Sequence, residues 1–207
     1  MLNQILQNLQ TMSESPSTMF ALLGVLLLIF FCMYARHIKF STRMLVYIAL
    51  MLAVTILLKQ IRLYHFPQGG SVTLGATIPL MLLTYRYGAS VGMFAGFIFG
   101  LINIVLDPFI LHPIQVLFDY PLPFMAMGLA GIFPEKIFLS TVLAFVGRFI
   151  CHFISGVIFF ASYAPEGISP IIYSLTANAT YLIPETLICL VILKILPVKR
   201  LLDAMKD

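Results

Sequence analysis

The chain has 207 residues, of which 61% are hydrophobic and only 10% charged, and its formal net charge is +4. A soluble domain of this size needs far more charged side chains on its surface, so the composition excludes that class and indicates an integral membrane protein. The basic residues fall near the ends of predicted helices. This favours topology signals in a lipid bilayer over a nucleic-acid-binding surface.

Seven apolar stretches predict helices that cross the membrane, each of roughly 20 residues. The first contains no ionisable group and is apolar on all sides, as expected of a helix that faces lipid. In the fourth, Gly88, Gly92, Gly96 and Gly100 share one helix face, which predicts close packing against a neighbouring backbone. In chain order the stretches cover residues 19–35, 42–58, 72–87, 89–106, 115–133, 137–161 and 171–196.

Basic residues predict the side of the membrane on which each chain end lies. If the seven helices alternate in direction, nine basic residues fall on one side. The other side receives only Lys59 and Arg62, and Arg148 lies inside the sixth stretch. This excess predicts a cytoplasmic C-terminus and an N-terminus outside the cell. The nine are Arg36, Lys39, Arg43, Arg86, Lys136, Lys194, Lys199, Arg200 and Lys206.

Polar side chains on the fifth stretch are the first candidates for function, since ionisable groups inside membrane helices are costly and usually functional. Gln115 and Asp119 are four residues apart and therefore share a helix face. Asp119 has no basic neighbour in the sequence. A carboxylate among aromatic rings suits a cationic ligand that itself carries a ring.

Two further polar stripes lie on the sixth and last stretches. They consist of Arg148, His152, Gly156 and Phe160, and of Asn178, Tyr181 and Glu185. Structural alternatives stay open for three of these residues. His152 is alternatively a hydrogen-bonded packing residue. Arg148 is alternatively a counter-ion for Asp119 or Glu185, and Glu185 alternatively satisfies the helix break at Pro184.

Catalytic signatures are missing from the sequence. It contains no Gly-x-x-x-x-Gly-Lys-Ser/Thr loop, no His-Glu-x-x-His and no Cys/His metal cluster. Each of these patterns carries a specific chemistry, namely phosphate binding or zinc binding and catalysis. The sequence therefore favours binding or transport over catalysis, with no cofactor or metal bound by this chain.

Five segments together resemble the thiamine-specific substrate-binding component of energy-coupling factor (ECF) transporters. They are FPQGGSVTLGATIPL, LTYRYG, the Asp119 segment DYPL, GRFICHFISGVIFFASYAPEG and YSLTAN. The resemblance, over roughly residues 42–196, implies an all-α integral membrane fold: a six-helix bundle, here with one extra N-terminal transmembrane helix. The implied divisions are an extension at 1–40, a substrate-binding membrane domain at 41–200 and a cytoplasmic tail at 201–207.

The resemblance also implies a function, which is high-affinity capture of thiamine from outside the cell. A transmembrane coupling subunit and two ATPase subunits then drive delivery inward, and those partners use the ATP. Ala49 and Ala53, in the segment ALMLA, resemble the Ala-x-x-x-Ala pair through which such components dock on the coupling subunit.

Six residues match the ligand contacts of the family. They are Asp119, Tyr120, His152, Phe160, Tyr173 and Asn178. The resemblance implies that the carboxylate offsets the thiazolium charge, that the rings stack on the ligand, and that Tyr173 and Asn178 hydrogen-bond to the aminopyrimidine. Loops Pro-Gln-Gly-Gly and Ala-Pro-Glu-Gly are expected to be lids over this site.

Two departures from the family pattern leave the identity of the ligand undecided. Some members carry glutamate and tryptophan where this chain has Asp119 and Phe160. A shorter carboxylate and a smaller ring favour lower affinity or a related ligand, such as a pyrimidine precursor of thiamine. A membrane enzyme or a structural membrane protein is the remaining alternative.

Overall fold

The computed structural model describes residues 16–36, 38–66 and 69–205 and consists mainly of α-helices. In chain order the α-helices are α1 (Pro16–Ala35), α2 (Thr42–Gln60), α3 (Ile78–Tyr87), α4 (Ala89–Leu106), α5 (Pro113–Asp119), α6 (Pro121–Met125), α7 (Ile137–Phe159), α8 (Pro170–Ile195) and α9 (Val198–Ala204). The strands β1 (Arg62–His65) and β2 (Ser71–Thr73) lie between α2 and α3, and 3-10 helices cover Ala126–Gly131 and Ala161–Tyr163. The expected lid residues Pro67 and Gln68, and Lys206 of the topology count, lie outside the described residues.

Among the described residues, four helices are long and apolar enough to cross a membrane, namely α2, α4, α7 and α8. Large apolar side chains cover their outward faces: Leu57, Val105 and Ile195 are 68%, 81% and 76% exposed. Such side chains are stable in contact with lipid rather than water. The chain is therefore an all-α, multi-pass membrane protein.

The core of the bundle lies on the inward faces of these helices. One cluster of buried side chains joins α3, α7 and α8 and includes Met81, Phe145 and Leu182. A second joins α2, α3, α4 and α6 around Leu52 and Phe99. The short helix α3 belongs to both clusters, so it lies at the centre of the bundle.

The third apolar stretch differs from the helix expected over 72–87. Its first residues form β2, which pairs antiparallel with β1 and places Tyr64 opposite Val72. The hairpin turn contains Gly69 and Gly70, both with positive φ, a conformation that glycine adopts without steric cost. Helix α3 then begins only at Ile78, so ten residues remain for it. At about 1.5 Å per residue, such a helix spans roughly half of the hydrocarbon core.

The fifth apolar stretch, expected as one helix over 115–133, is broken into three pieces. Helix α5 ends at Asp119, and α6 begins at Pro121. Proline has no backbone N–H to donate, so Pro121 cannot continue the hydrogen bonds of α5. The α6 helix continues into the 3-10 helix Ala126–Gly131. The break places Asp119 at a helix end inside the bundle.

Of the four glycines predicted to share one helix face, Gly96 and Gly100 pack against neighbouring backbone, whereas Gly88 lies before α4 with a positive φ and has nothing within 4 Å of an added Cβ. A Cβ added at Gly96 would lie 2.0 Å from the carbonyl oxygen of Phe124, and one added at Gly100 would lie 2.6 Å from Cα of Pro121. Gly92 instead faces a side chain, that of Thr84 on α3. These contacts seat α6 directly against α4 and thereby fix the position of the break at Tyr120.

Candidate functional site

A cavity lies between the β1–β2 hairpin and helices α2, α4, α5, α7 and α8. Its volume is about 140 Å³. The side chains that line it are both aromatic and polar, the combination expected of a small-molecule site. All six residues predicted to contact a ligand line this one cavity: Asp119, Tyr120, His152, Phe160, Tyr173 and Asn178.

Asp119, at the C-terminal end of α5, lies between two polar partners. The Nε2 of Gln115 donates a hydrogen bond to Oδ2 of Asp119. On the other side, Oδ1 of Asp119 lies 3.3 Å from Nδ1 of His152 on α7. Although the sequence gives Asp119 no basic neighbour, the fold gives it an imidazole 33 residues away. The carboxylate is thereby held in one orientation at the cavity wall.

Tyr120 and Gln115 hold the loop between α4 and α5. The hydroxyl of Tyr120 donates to the carbonyl of Asp107 at 2.8 Å and accepts from the backbone N–H of Phe109 at 2.6 Å. Gln115 donates to the carbonyl of Phe109 and accepts from the N–H of Leu111, both at 3.0 Å. The hydroxyl of Tyr120 is therefore engaged with backbone, and its ring is the part available to a ligand.

Arg148 does not have the carboxylate partner that the sequence left open for it. Within the described residues, no Asp or Glu oxygen lies within 4.0 Å of its guanidinium. Its Nε lies 3.5 Å from Nε2 of His152, and its Cζ lies 4.8 Å from the ring centre of Phe124. Arg148 is thus a buried cation held mainly by a cation–π contact at the cavity wall.

Asn178 joins α8 to α7. Its Nδ2 donates to the carbonyl of Ser174 at 2.9 Å and to the carbonyl of His152 at 3.3 Å. Its Oδ1 accepts a 2.8 Å hydrogen bond from the hydroxyl of Tyr181. The helices approach closely because Gly156 has no side chain: a Cβ there would lie 2.2 Å from Oγ of Ser174. Asn178 therefore fixes both the His152 backbone and the Tyr181 ring.

Phe160 and Tyr173 lie at the aromatic end of the cavity. The ring of Phe160 stacks on that of Phe109, with centres 5.7 Å apart and planes 18° apart. Phe109 lies in a loop, and no sequence signal marked it. The hydroxyl of Tyr173 has no hydrogen-bond partner in the part of the chain that the structure describes, so it is free to bind a ligand.

Glu185 connects the hairpin to α8, a role that neither sequence interpretation named. Its carboxylate accepts two hydrogen bonds from Thr73, one from the backbone N–H and one, at 2.6 Å, from the hydroxyl. Both residues are buried. Glu185 thus serves the hairpin rather than the helix break at Pro184, and it holds β2 beside the cavity.

Lys59 is a cavity residue that the sequence analysis missed, because it was counted among the topology signals at helix ends. It lies in the last turn of α2 and points between two rings. Its Nζ is 5.4 Å from the ring centre of Phe124 and 5.8 Å from that of Phe99. Its spacing of four from Thr55 puts both residues on one helix face, but only the fold, in which Thr55 is buried, shows that this face points inward.

Of the two expected lids, one borders the cavity. Gly69 and Gly70 at the hairpin tip line the cavity, whereas the Ala-Pro-Glu-Gly turn at residues 164–167 does not. The hairpin is fixed by a 3.2 Å ion pair between Arg62 and Asp107. Ala49 and Ala53 lie elsewhere, on the exposed outer face of α2.

Comparison with known proteins relates this architecture to one family. A sequence model of the family described as thiamine transporter protein matches residues 45–203. The thiamine transporter ThiT of Bacillus subtilis (strain 168) is 38% identical over 171 residues, which cover 73% of this chain and 88% of that protein. ThiT of Lacticaseibacillus paracasei is 28% identical over 139 residues, covering 58% of this chain and 69% of that protein. The structure of ThiT from Listeria monocytogenes superposes with a TM-score of 0.68 at 25% identity, covering 76% of this chain and 93% of that one.

Proposed function

We propose a function from one premise: this chain belongs to the thiamine transporter protein family, whose sequence model matches it from residue 45 to residue 203. It is the substrate-binding component for uptake of thiamine, a multi-pass membrane protein without enzymatic activity of its own. The observation that carries the proposal is the convergence of the six predicted contact residues on one cavity.

Asp119 is proposed to bind the thiazolium ring of thiamine. That ring is a permanent cation, and a carboxylate held by Gln115 and His152 needs no further rearrangement to offset its charge. The imidazole of His152 lies beside the same position and supplies a flat surface. The ring of Tyr120, whose hydroxyl is engaged with the loop, flanks the thiazolium.

The aminopyrimidine of thiamine is proposed to bind at the aromatic end. Phe160 stacks on it, with Phe109 behind, at about 0.5–1.5 kcal/mol for such a ring pair. The free hydroxyl of Tyr173 pairs with a ring nitrogen or the amino group. Asn178 has two ways to contribute. Its Oδ1 either gives up the hydrogen bond from Tyr181 and accepts one from the ligand, or it positions the Tyr181 hydroxyl to bond to the ligand.

A ligand related to thiamine is the second candidate, because two site residues differ from those that some family members carry. Asp119 carries a shorter side chain than glutamate, and Phe160 a smaller ring than tryptophan. A pyrimidine precursor of thiamine lacks the thiazolium cation and would use only the aromatic end of the cavity. Its binding would not depend on Asp119.

Transport is proposed to depend on partner proteins. Ala49 and Ala53 give α2 a shallow exposed face, on which a helix of an ECF coupling subunit fits closely. Two ATPase subunits supply the energy, so this chain needs no cofactor. The C-terminus is proposed to lie in the cytoplasm and the N-terminus outside, and the divisions at residues 40 and 200 remain predictions.

Calorimetric titration of the purified full chain in detergent tests the ligand. Thiamine and hydroxymethylpyrimidine are titrated separately into the same preparation. We expect tight one-to-one binding of thiamine and much weaker binding of the pyrimidine, since only thiamine offers a cation to Asp119. Binding of hydroxymethylpyrimidine alone would assign the cavity to the precursor, and binding of neither would overturn the proposal.

A further inference from the structure

The N-terminal helix α1 precedes the part of the chain that matches the family, which begins at residue 45. It nevertheless packs against the bundle along one stripe of side chains. The stripe consists of Gly24, Leu28, Phe31 and Ala35, spaced four, three and four residues apart. Gly24 and Phe31 are buried, whereas Leu26 on the opposite face is exposed. Helix α1 therefore has a defined inner face.

This inner face meets the helix that carries Asp119. A Cβ added at Gly24 would lie 2.7 Å from Cδ2 of Leu117 and 3.1 Å from Cε2 of Phe118, so the two helices touch where glycine has no side chain. Phe118 is 2% exposed and directly precedes Asp119 in α5. One apolar cluster combines it with Phe31 of α1.

The second half of the stripe fixes α1 to the rest of the bundle. The ring of Phe31 lies 5.8 Å from that of Phe97 on α4. The same cluster also includes Cys151 and Ile154 of α7, on either side of the cavity residue His152 in sequence. Helix α1 thus packs on α4 and on the back of α5, the helix that carries Asp119.

Helix α5 depends on such support because it is short. It has seven residues, and isolated helices shorter than about 12–15 residues are marginal on their own. Its position is set by packing on its back through Phe118 and by hydrogen bonds on its cavity side through Gln115 and Asp119. A small tilt of α5 would change the 3.3 Å separation between Asp119 and His152.

We infer that α1 is a positioning element for ligand binding, in which Gly24 and Phe31 hold α5 so that Asp119 faces the cavity in its binding orientation. This inference rests on the proposed function, because it takes Asp119 as the contact for the ligand cation. A helix that only anchored the chain in lipid would need neither a glycine facing Leu117 nor a buried Phe31.

Gly24→Leu in the full chain tests the inference, with Val25→Leu as the matched control. The first adds bulk against Leu117, and the second adds bulk on a neighbouring position that is 48% exposed. We expect thiamine affinity, measured by calorimetric titration, to fall about tenfold for Gly24→Leu and to stay unchanged for Val25→Leu. Unchanged affinity for Gly24→Leu would overturn the inference.

A double-mutant cycle with Asp119→Asn separates positioning from general destabilisation. If α1 acts through Asp119, Gly24→Leu lowers the affinity for thiamine about tenfold in the otherwise unmodified chain. In the Asp119→Asn background the same substitution lowers that affinity less than about twofold. Equal losses in both backgrounds would overturn the inference. Phe31→Leu, a milder change in the same cluster, is carried through the same cycle in case Gly24→Leu fails to fold. Failure of the unmodified chain to bind thiamine would instead count against the proposed function.

Discussion

Asp119 and Lys59 bring opposite charges to the wall of the same cavity. Asp119 is held by Gln115 and His152, whereas Lys59 contacts two phenyl rings and, among the described residues, has no carboxylate within 4.0 Å. Charges interact strongly over several ångströms where water is excluded. A cationic ligand is thus attracted by Asp119 and repelled by Lys59 and by the buried Arg148 of the same wall, and its affinity reflects the balance.

Replacing Lys59 by methionine should therefore tighten thiamine binding. Methionine keeps an unbranched apolar side chain of similar length against Phe99 and Phe124 but removes the charge. We expect the dissociation constant to fall roughly threefold to tenfold, in line with the loss of one partly screened repulsion. Lys59→Arg, which retains the charge, is the control and should leave the affinity near its original value. Weaker binding by Lys59→Met would mean that Lys59 contacts the ligand favourably.

Among the elements, the β1–β2 hairpin forms one part of the cavity wall, which Gly69, Gly70 and Thr73 line. It is joined to the bundle by the hydrogen bonds between Thr73 and Glu185 and by the ion pair between Arg62 and Asp107. The ion pair is partly exposed, and such pairs contribute only about 0–1 kcal/mol. The buried hydrogen bonds at Thr73 are therefore the stronger attachment.

Thr73→Val should loosen the hairpin without changing the shape of its side chain. The substitution removes the hydroxyl that donates to Glu185 and costs about 1–2 kcal/mol, because a buried carboxylate oxygen loses its partner. We expect faster dissociation of thiamine, measured by chasing bound radiolabelled thiamine with an excess of unlabelled thiamine, and a lower melting temperature. Thr180→Val, at an exposed position on α8, is the control and should alter neither quantity. An unchanged dissociation rate in Thr73→Val would show that the hairpin does not retain the ligand.

The long helices could be predicted from the sequence, but the short elements could not. A helix that crosses a membrane satisfies its backbone hydrogen bonds within itself, so its sequence is an uninterrupted apolar stretch. Such stretches mark α2, α4, α7 and α8. The β1–β2 hairpin escaped prediction because Ser71–Thr73 pairs with residues outside its own apolar stretch. The prolines that break α5 from α6 were visible, but the resulting turn at Tyr120 depends on packing of α6 against Gly96 and Gly100.

In the candidate site, too, contacts between residues close in sequence could be predicted, whereas contacts that depend on the fold could not. Residues four apart on one helix, such as Gln115 and Asp119, could be grouped by spacing alone. The resemblance to a known family selected the six that line the cavity. Lys59 and Phe109 were missed, since their place in the wall follows from the fold of α2 and of the loop after α4.

For the whole molecule, the exposed face of α2 is separate from the cavity. Ala49 and Ala53 point outward, whereas Thr55 and Lys59 on the same helix point inward. The proposed docking face and the cavity therefore lie on different faces of one helix. This arrangement predicts that the two activities can be separated by substitution.

Ala49→Trp and Ala53→Trp should block assembly but not ligand binding. A large ring on either position would hold a partner helix away from α2. We expect the variants to lose co-purification with the coupling and ATPase subunits and to keep their affinity for thiamine. Val105→Trp, at a position of α4 that is 81% exposed, is the control and should assemble normally. Loss of thiamine binding in the α2 variants would place that face in the core instead.

The central claim is that Asp119 binds the cation of thiamine, and a calorimetric titration of three proteins tests it most directly. Thiamine is titrated into the unmodified chain, into Asp119→Asn and into Glu135→Gln, which removes an exposed carboxylate away from the cavity. We predict that Asp119→Asn weakens binding by about tenfold or more, because a buried charge partner is lost, and that Glu135→Gln has no effect. Equal affinity for thiamine in the unmodified chain and in Asp119→Asn would contradict the account.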